Sequence, residues 1–214
     1  MHRARQHAEA RIRERRRRLA HEAARLMAES GIRDYRLAKL KAASRLGFHD
    51  DASLPRNREI EEALREYQRL FQRDTQANAV RVRREAALRA LEFFARFDAR
   101  LVGPVLEGTA DMHSPVHLHL YSDDPEAVQR FLEESGIPAQ SRSRHVRLDR
   151  VRGGDFPVWV FVAEDLTFDL LVLPEAALRQ APLSQIDERP MRRASAAQLR
   201  ALLAEEEISV YGLR

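Results

Sequence analysis

The stretch from Arg100 to Tyr121, with the sequence RLVGPVLEGTADMHSPVHLHLY, constrains the fold more than any other part of the chain. It reads as a strand over 101–106, a turn at Gly108-Thr109, a short polar loop and a second strand over 116–121. Two strands this close together, with a glycine turn between them, predict a sheet. The short polar loop then lies beside the start of the second strand.

The second of these strands has two chemically different faces. Successive side chains of a strand point to opposite sides, so apolar and polar positions separate into two rows. The apolar row is Val116, Leu118 and Leu120, and the other row is His117, His119 and Tyr121. The pattern predicts a pocket floor lined by imidazoles, beside the Gly108-Thr109 turn.

Helical periodicity dominates the chain before this stretch, and strand patterns dominate after it. We therefore predict an α+β fold, with a helical N-terminal half followed by a mixed sheet flanked by helices. Predicted helices cover 4–29, 34–46, 57–73, 80–97, 125–134 and 196–207, and further strands cover 144–151, 157–163 and 166–173. A polar break at 74–78 places the domain boundary between residues 1–78 and 79–214, and 208–211 is predicted to be a short edge strand or disordered.

The charge of the chain is distributed unevenly. Residues 1–48 contain 14 Lys and Arg against 5 Asp and Glu, a balance of +9, whereas the remaining 23 basic and 28 acidic residues give −5. The chain has no cysteine, which excludes disulfides and thiolate metal sites and favours a cytoplasmic location. No apolar run is long enough to span a membrane, so we expect no membrane partner.

The basic N-terminal region resembles a helix-turn-helix unit, in which a short second helix is placed on nucleic acid. The candidate nucleic-acid-binding residues are Arg15, Arg16, Arg17, Arg18, Arg36, Lys39, Lys41 and Arg45. Two other interpretations stay open, because helix pairs are common in helical bundles. The region would then bind an acidic protein, or simply pack as a helical cap on the rest of the chain.

The region of about 85–175 resembles the polymerase-beta-type nucleotidyltransferase superfamily. Its members have a Gly-Ser turn after a first strand, an Asp-x-Asp motif opening a second strand and a third acid on a later strand. In this chain Gly108-Thr109 stands in the place of Gly-Ser, Ser114-Pro115-Val116-His117 in the place of Ser-Asp-x-Asp, and Asp169 in the place of the third acid. The resemblance implies a nucleotide pocket near Gly108, Thr109, Ser114, His117 and Asp169.

The same comparison shows a decisive departure. Pro115 and His117 replace the two acids that would hold divalent metals, and proline supplies no side-chain ligand while imidazole suits Mg²⁺ poorly. One remaining carboxylate, Asp169, cannot assemble a two-metal site. We therefore expect a catalytically inactive nucleotidyltransferase-like domain that acts as a binding or regulatory module.

The alternative is an enzyme, either a metal-dependent nucleotidyltransferase or a hydrolase. His117 and His119 lie on one strand face and, with Asp169, would hold a transition metal. The ligand of the pocket would be a divalent metal or a nucleotide. Arg192 and Arg193 would either line the pocket mouth and hold phosphate or bind backbone carbonyls.

Overall fold

A computed structural model describes residues 2–48, 53–71 and 73–211. Contacts divide the chain into two compact units. The first consists of Met1–Asp74 with Gln185–Asp187, and the second of Thr75–Ser184 with Glu188–Arg214.

The first unit is built from three helices: α1 (His2–Ser30), α2 (Tyr35–Leu46) and α3 (Asn57–Phe71). Asp34 caps α2 by accepting a hydrogen bond from the Leu37 N–H, and Gly47 ends it in the left-handed conformation that glycine adopts without strain. Leucines and alanines of α1 pack on the other two helices around Ile60 and Leu64 of α3.

The second unit contains the sheet. Its elements are α4 (Arg73–Phe93), β1 (Arg100–Val102), α5 (Pro104–Glu107), β2 (Val116–Tyr121), α6 (Pro125–Glu134), β3 (Gln140–Arg147), β4 (Gly153–Ala163), β5 (Leu166–Leu173) and α7 (Ala196–Tyr211), with short 3₁₀ helices at Ala95–Phe97 and Glu175–Leu178. Their arrangement confirms the predicted α+β fold, in which a helical N-terminal half precedes a mixed sheet.

The strands are ordered β1-β2-β5-β4-β3. The central pair, β2 and β5, is parallel, and the other neighbours are antiparallel. One face of the sheet packs on α4, α6 and α7 through residues such as Leu91, Leu132 and Leu199. The opposite face has a smaller apolar cluster that includes Leu171 and Leu173. The two central strands therefore carry one fully apolar face and one mixed face.

The first predicted strand is wrong in its second half. β1 ends at Val102, and the chain turns at Gly103, whose φ of 72° and ψ of −155° suit only glycine. Pro104 then begins the four-residue helix α5, because its fixed φ and missing N–H fit the first helical position. Gly108 ends this helix with a φ of 76°.

Several other boundaries also differ from the predictions. The polar break at 74–78 does not exist, since α4 runs through it, and the tail over 208–211 continues α7 as helix. β4 begins at Gly153, before the predicted start of this strand at 157. Four large apolar residues of α2 and α3 have the spacing typical of a core but are exposed: Leu37, Leu40, Leu70 and Phe71.

None of the helices in the described ranges combines the length and the apolar character that crossing a bilayer requires.

Candidate functional site

The polar face of the sheet brings His117 and Asp169 together. The two residues are direct partners across the parallel pair β2–β5. His117 Nδ1 lies 3.2 Å from Asp169 Oδ1. A side chain at Gly103 would come within 3.5 Å of His117 Cδ2, so the turn after β1 borders the same place.

Arg144 on the edge strand β3 completes this cluster. Its side chain reaches across β4 and binds the Asp169 carboxylate with both nitrogens, Nη1 to Oδ1 at 2.9 Å and Nη2 to Oδ2 at 2.6 Å. Such a two-pronged pair is the strongest arrangement available to arginine and a carboxylate. Both oxygens of Asp169 are therefore occupied by a cation from the chain itself, and we call His117, Asp169 and Arg144 the carboxylate clamp.

The environment keeps Asp169 ionised. Burial alone raises the pKa of this carboxyl group, but the hydrogen bonds from His117 and Arg144 and their charges outweigh burial, so the pKa lies below its ordinary value. The Asp169 carboxylate is a permanent anion at any physiological pH, and its charge is balanced locally.

His119 lies next along the same face and behaves differently. It is buried, and burial followed by repulsion from His117 and Arg193 lowers its pKa to about 3. Its Nδ1 atom has no hydrogen-bond partner within the described part of the chain. His119 is thus a neutral imidazole of the sheet interior.

The residues of the alternative metal site lie close together on the sheet, since His117 and Asp169 are direct partners. Within residues 2–48, 53–71 and 73–211, no cluster of three histidine, cysteine or acidic side chains is arranged to hold a metal ion. His117, His119 and Asp169 share a face, but Arg144 occupies the carboxylate that such a site would need.

The loop before β2 is fixed by buried arginines of α4. Arg84 donates to the carbonyls of Val105 and Leu106, at 2.9 Å each. Arg83 donates to the carbonyl of Ser114 at 2.7 Å and also to that of Met112. These bonds satisfy carbonyls that the short helix α5 and the loop after it leave without backbone partners.

The predicted pocket residues of this loop are held in the same network. Gly108 accepts a hydrogen bond from Gln76 of α4 through its carbonyl. Thr109 and Ser114 are buried, and the Ser114 hydroxyl accepts a hydrogen bond from the Asp111 N–H at 2.9 Å. The loop therefore turns its polar groups inward, whereas His117 and Asp169 lie on the sheet face.

The two arginines before α7 have separate roles. Arg193 donates to the Tyr121 hydroxyl at 2.9 Å and to the carbonyls of Ala177 and Leu178 at 3.0 and 3.1 Å. Of the two predicted roles, the structure shows carbonyl binding for Arg193. Arg192 instead pairs with Glu107, with 3.1 Å between Nη1 and Oε2.

The basic candidates of the first unit lie mainly on its surface. Arg15, Arg17 and Arg18 are exposed, as are Arg36, Lys41 and Arg45, while Arg16 and Lys39 are partly buried. The guanidinium groups of Arg15 and Arg18 lie 5.6 and 5.7 Å from the centre of the Phe48 ring. This distance is typical of cation–π contacts, which leave the cations available to a further anion.

Two of the remaining candidates are paired with acids. Arg17 contacts Glu14 at 3.2 Å, and Arg45 contacts Glu22 at 3.2 Å. These pairs reduce the positive charge around Arg17 and Arg45, whereas Arg15 and Arg18 contact the Phe48 ring.

Sequence reasoning missed Arg144, Arg83 and Arg84. Arg144 lay at the start of a predicted strand, but only the order of the strands places it over Asp169. Arg83 and Arg84 are buried on α4, and nothing in their spacing along the sequence marks them as buried.

Comparison with known protein families, curated proteins and solved structures finds no match for this chain.

Proposed function

We propose that this protein is a catalytically inactive nucleotidyltransferase-like protein that acts as a binding or regulatory module. The proposal joins two arguments. In the described part of the second unit, Pro115 and His117 stand where acids would hold catalytic metals, and the basic helical unit supplies a surface for a polyanionic partner.

The carboxylate clamp carries the first argument. A catalytic carboxylate must offer its oxygens to metal ions, but both oxygens of Asp169 are bound by Arg144 at 2.6 and 2.9 Å. A guanidinium balances negative charge, yet it cannot bridge nucleotide phosphates as a metal does. The clamp supports a carboxylate with a structural rather than a catalytic role.

The turn after β1 supports the same conclusion. In the resemblance, the Gly-Ser turn follows the first strand directly, and here that position is taken by Gly103-Pro104 rather than by Gly108-Thr109. Proline has neither a hydroxyl nor an N–H with which to bind phosphate. The site thus departs at three positions, Pro104, Pro115 and His117.

A nucleotidyl-transfer assay tests whether the second unit is catalytically inactive. The protein is incubated with each labelled nucleoside triphosphate and Mg²⁺ or Mn²⁺, with and without added RNA and protein acceptors. We expect no more label on any acceptor than with Asp169→Ala. Transfer that the wild type performs and Asp169→Ala abolishes would overturn the inactive assignment and favour the enzyme that uses His117, His119 and Asp169.

For the basic unit we propose nucleic acid as the partner of the arginine cluster on α1. Arg15 and Arg18 on the Phe48 ring offer two cations beside an aromatic surface, a combination that suits phosphates and bases. Binding of this kind weakens steeply with salt, because counterions are released from the nucleic acid.

A matched pair of variants tests this role. In one, Arg15, Arg16, Arg17 and Arg18 are replaced by glutamine, and in the other the exposed Arg56, Arg58, Arg65 and Arg69 are replaced, so both lose four positive charges. We expect labelled RNA to bind at low salt to the wild type and to the second variant, but not to the first. If RNA binding weakens equally in both variants, net charge alone explains it. If the wild type does not bind RNA even at low salt, the nucleic-acid role is rejected.

A further inference from the structure

Helix α2 turns its smallest residues inward and two large apolar residues outward. Ala38 and Ala42 are fully buried, whereas Leu37 and Leu40 are 44% and 53% exposed. Leucines at this spacing usually face a core. Here the close approach of the alanines to the rest of the unit leaves the leucines in solvent.

The exposed leucines form one surface together with polar neighbours. At 3.6 residues per turn, Arg36, Leu37, Leu40, Lys41 and Ser44 lie within an arc of about 140° on the side away from the buried alanines. We call these five residues the α2 face. Its leucines are surrounded by the other three side chains, which is the arrangement of an interface with an apolar centre and a polar rim.

The charge of this surface has a single sign. Helix α2 contains four basic residues and no acidic ones. In the part of the chain that the structure describes, neither Arg36 nor Lys41 takes part in an ion pair. The α2 face is therefore apolar at its centre and positive at its edge.

We propose that the α2 face binds an amphipathic helix of a partner protein whose apolar stripe is flanked by acidic residues. A phosphate backbone offers no apolar surface to cover Leu37 and Leu40, whereas a helix with leucines at matching spacing buries them and pairs its carboxylates with Arg36 and Lys41. The proposal rests on the proposed function as a binding module, but it uses a different surface from the arginine cluster of α1.

A designed peptide provides the probe. It is a fluorescently labelled synthetic helix with leucines three and four residues apart on one face and glutamates on both flanks. A second peptide of the same composition has its leucines dispersed around the helix. Fluorescence anisotropy with the full chain should show binding of the first peptide and at least about tenfold weaker binding of the second, a difference of about 1.4 kcal/mol.

Variants then locate the site. Leu37→Ser with Leu40→Ser should weaken peptide binding by about tenfold or more, whereas Leu70→Ser, at a leucine of α3 that is 61% exposed, should not change it. Circular dichroism should show unchanged helix content in both variants, since none of these leucines is buried.

Three outcomes would overturn the proposal: no binding of the first peptide, equal binding of both peptides, or the same affinity in the Leu37 and Leu40 variant as in the wild type. If that variant loses labelled RNA and keeps the peptide, the α2 face is a nucleic-acid surface instead. If the peptide does not bind but RNA still binds through Arg15 to Arg18, only this inference is rejected and the proposed function stands.

Discussion

Replacing Arg144 by methionine removes the guanidinium group from the carboxylate clamp and keeps most of the side chain's apolar length. Asp169 would then keep His117 beside one oxygen, but its second oxygen would lose the hydrogen bond from Nη2 at 2.6 Å. The variant asks directly whether the buried carboxylate depends on the guanidinium.

The size of the effect follows from the exposure of the two partners. Breaking a buried ion pair by removing one partner costs about 3–5 kcal/mol. The Asp169 side chain is only 11% exposed, but that of Arg144 is 39% exposed, so solvent screens part of the interaction. We expect the free energy of unfolding to fall by about 1.5–3 kcal/mol.

The loss should depend on pH in a defined direction. The folded pKa of Asp169 lies below its ordinary value, so the stabilisation is fully present well above the unfolded pKa of about 3.9 and is lost as the pH falls through that value toward the folded one. Without Arg144, burial pushes the folded pKa back up. The difference between wild type and variant should therefore be largest near neutral pH and shrink in acid.

The assay is urea unfolding followed by the fluorescence of Trp159, the only tryptophan. Trp159 lies on β4 opposite Leu170, the residue after Asp169, so it reports on the sheet. Arg142→Met, at an exposed arginine of the same strand, is the control and should cost less than about 0.5 kcal/mol. Equal stabilities of the Arg144 and Arg142 variants, or a difference that does not change with pH, would refute the reasoning.

Three further predictions concern the surroundings of the clamp. Arg84→Met should destabilise the protein by about 2–4 kcal/mol, because it leaves buried carbonyls of α5 without donors. Arg81→Met on the exposed side of α4 is the control and should change the unfolding midpoint little. Equal unfolding midpoints of the two variants would contradict the role of Arg84. Gly103→Ala should lower the free energy of unfolding by about 1–3 kcal/mol, because alanine is strained at this positive φ. Gly154→Ala in β4 is the control. If the two variants have the same thermal midpoint, alanine is not strained in the turn. The pKa of the His119 imidazole is lowered to about 3, so the ring should stay neutral in an NMR titration down to about pH 4. Because its unfolded pKa is about 6.5, the folded protein should lose stability as the pH falls below that value. A titration midpoint near 6.5 in the folded protein would contradict the burial of His119.

The parts of the fold that follow from short-range pattern were predictable. Alternation defines β2 and the apolar run defines β5. Ser195 and Gln198 have the three-residue spacing of a capping box, and they form one with bonds of 2.9 and 3.3 Å. The first strand was misjudged because its apolar residues continue past Gly103-Pro104, where turn chemistry overrides hydrophobicity.

The site depends on long-range order that a single sequence does not carry. Arg144 reaches Asp169 only because β4 lies between β3 and β5. The spacing of Leu37 and Leu40 is typical of core residues, but the small side chains of Ala38 and Ala42 face the core and allow closer packing. In both cases the tertiary arrangement, and not the local sequence pattern, determines which side chains meet and which face of a helix is buried.

Manganese binding measured by electron paramagnetic resonance, with and without a nucleoside triphosphate, tests the central claim most directly. If Arg144 and His117 hold the Asp169 carboxylate, the wild type should bind no more Mn²⁺ than Asp169→Asn, and the triphosphate should not change that result. Two bound Mn²⁺ ions that appear with the triphosphate and disappear in Asp169→Asn would show that the carboxylate is open to metal, contrary to the clamp.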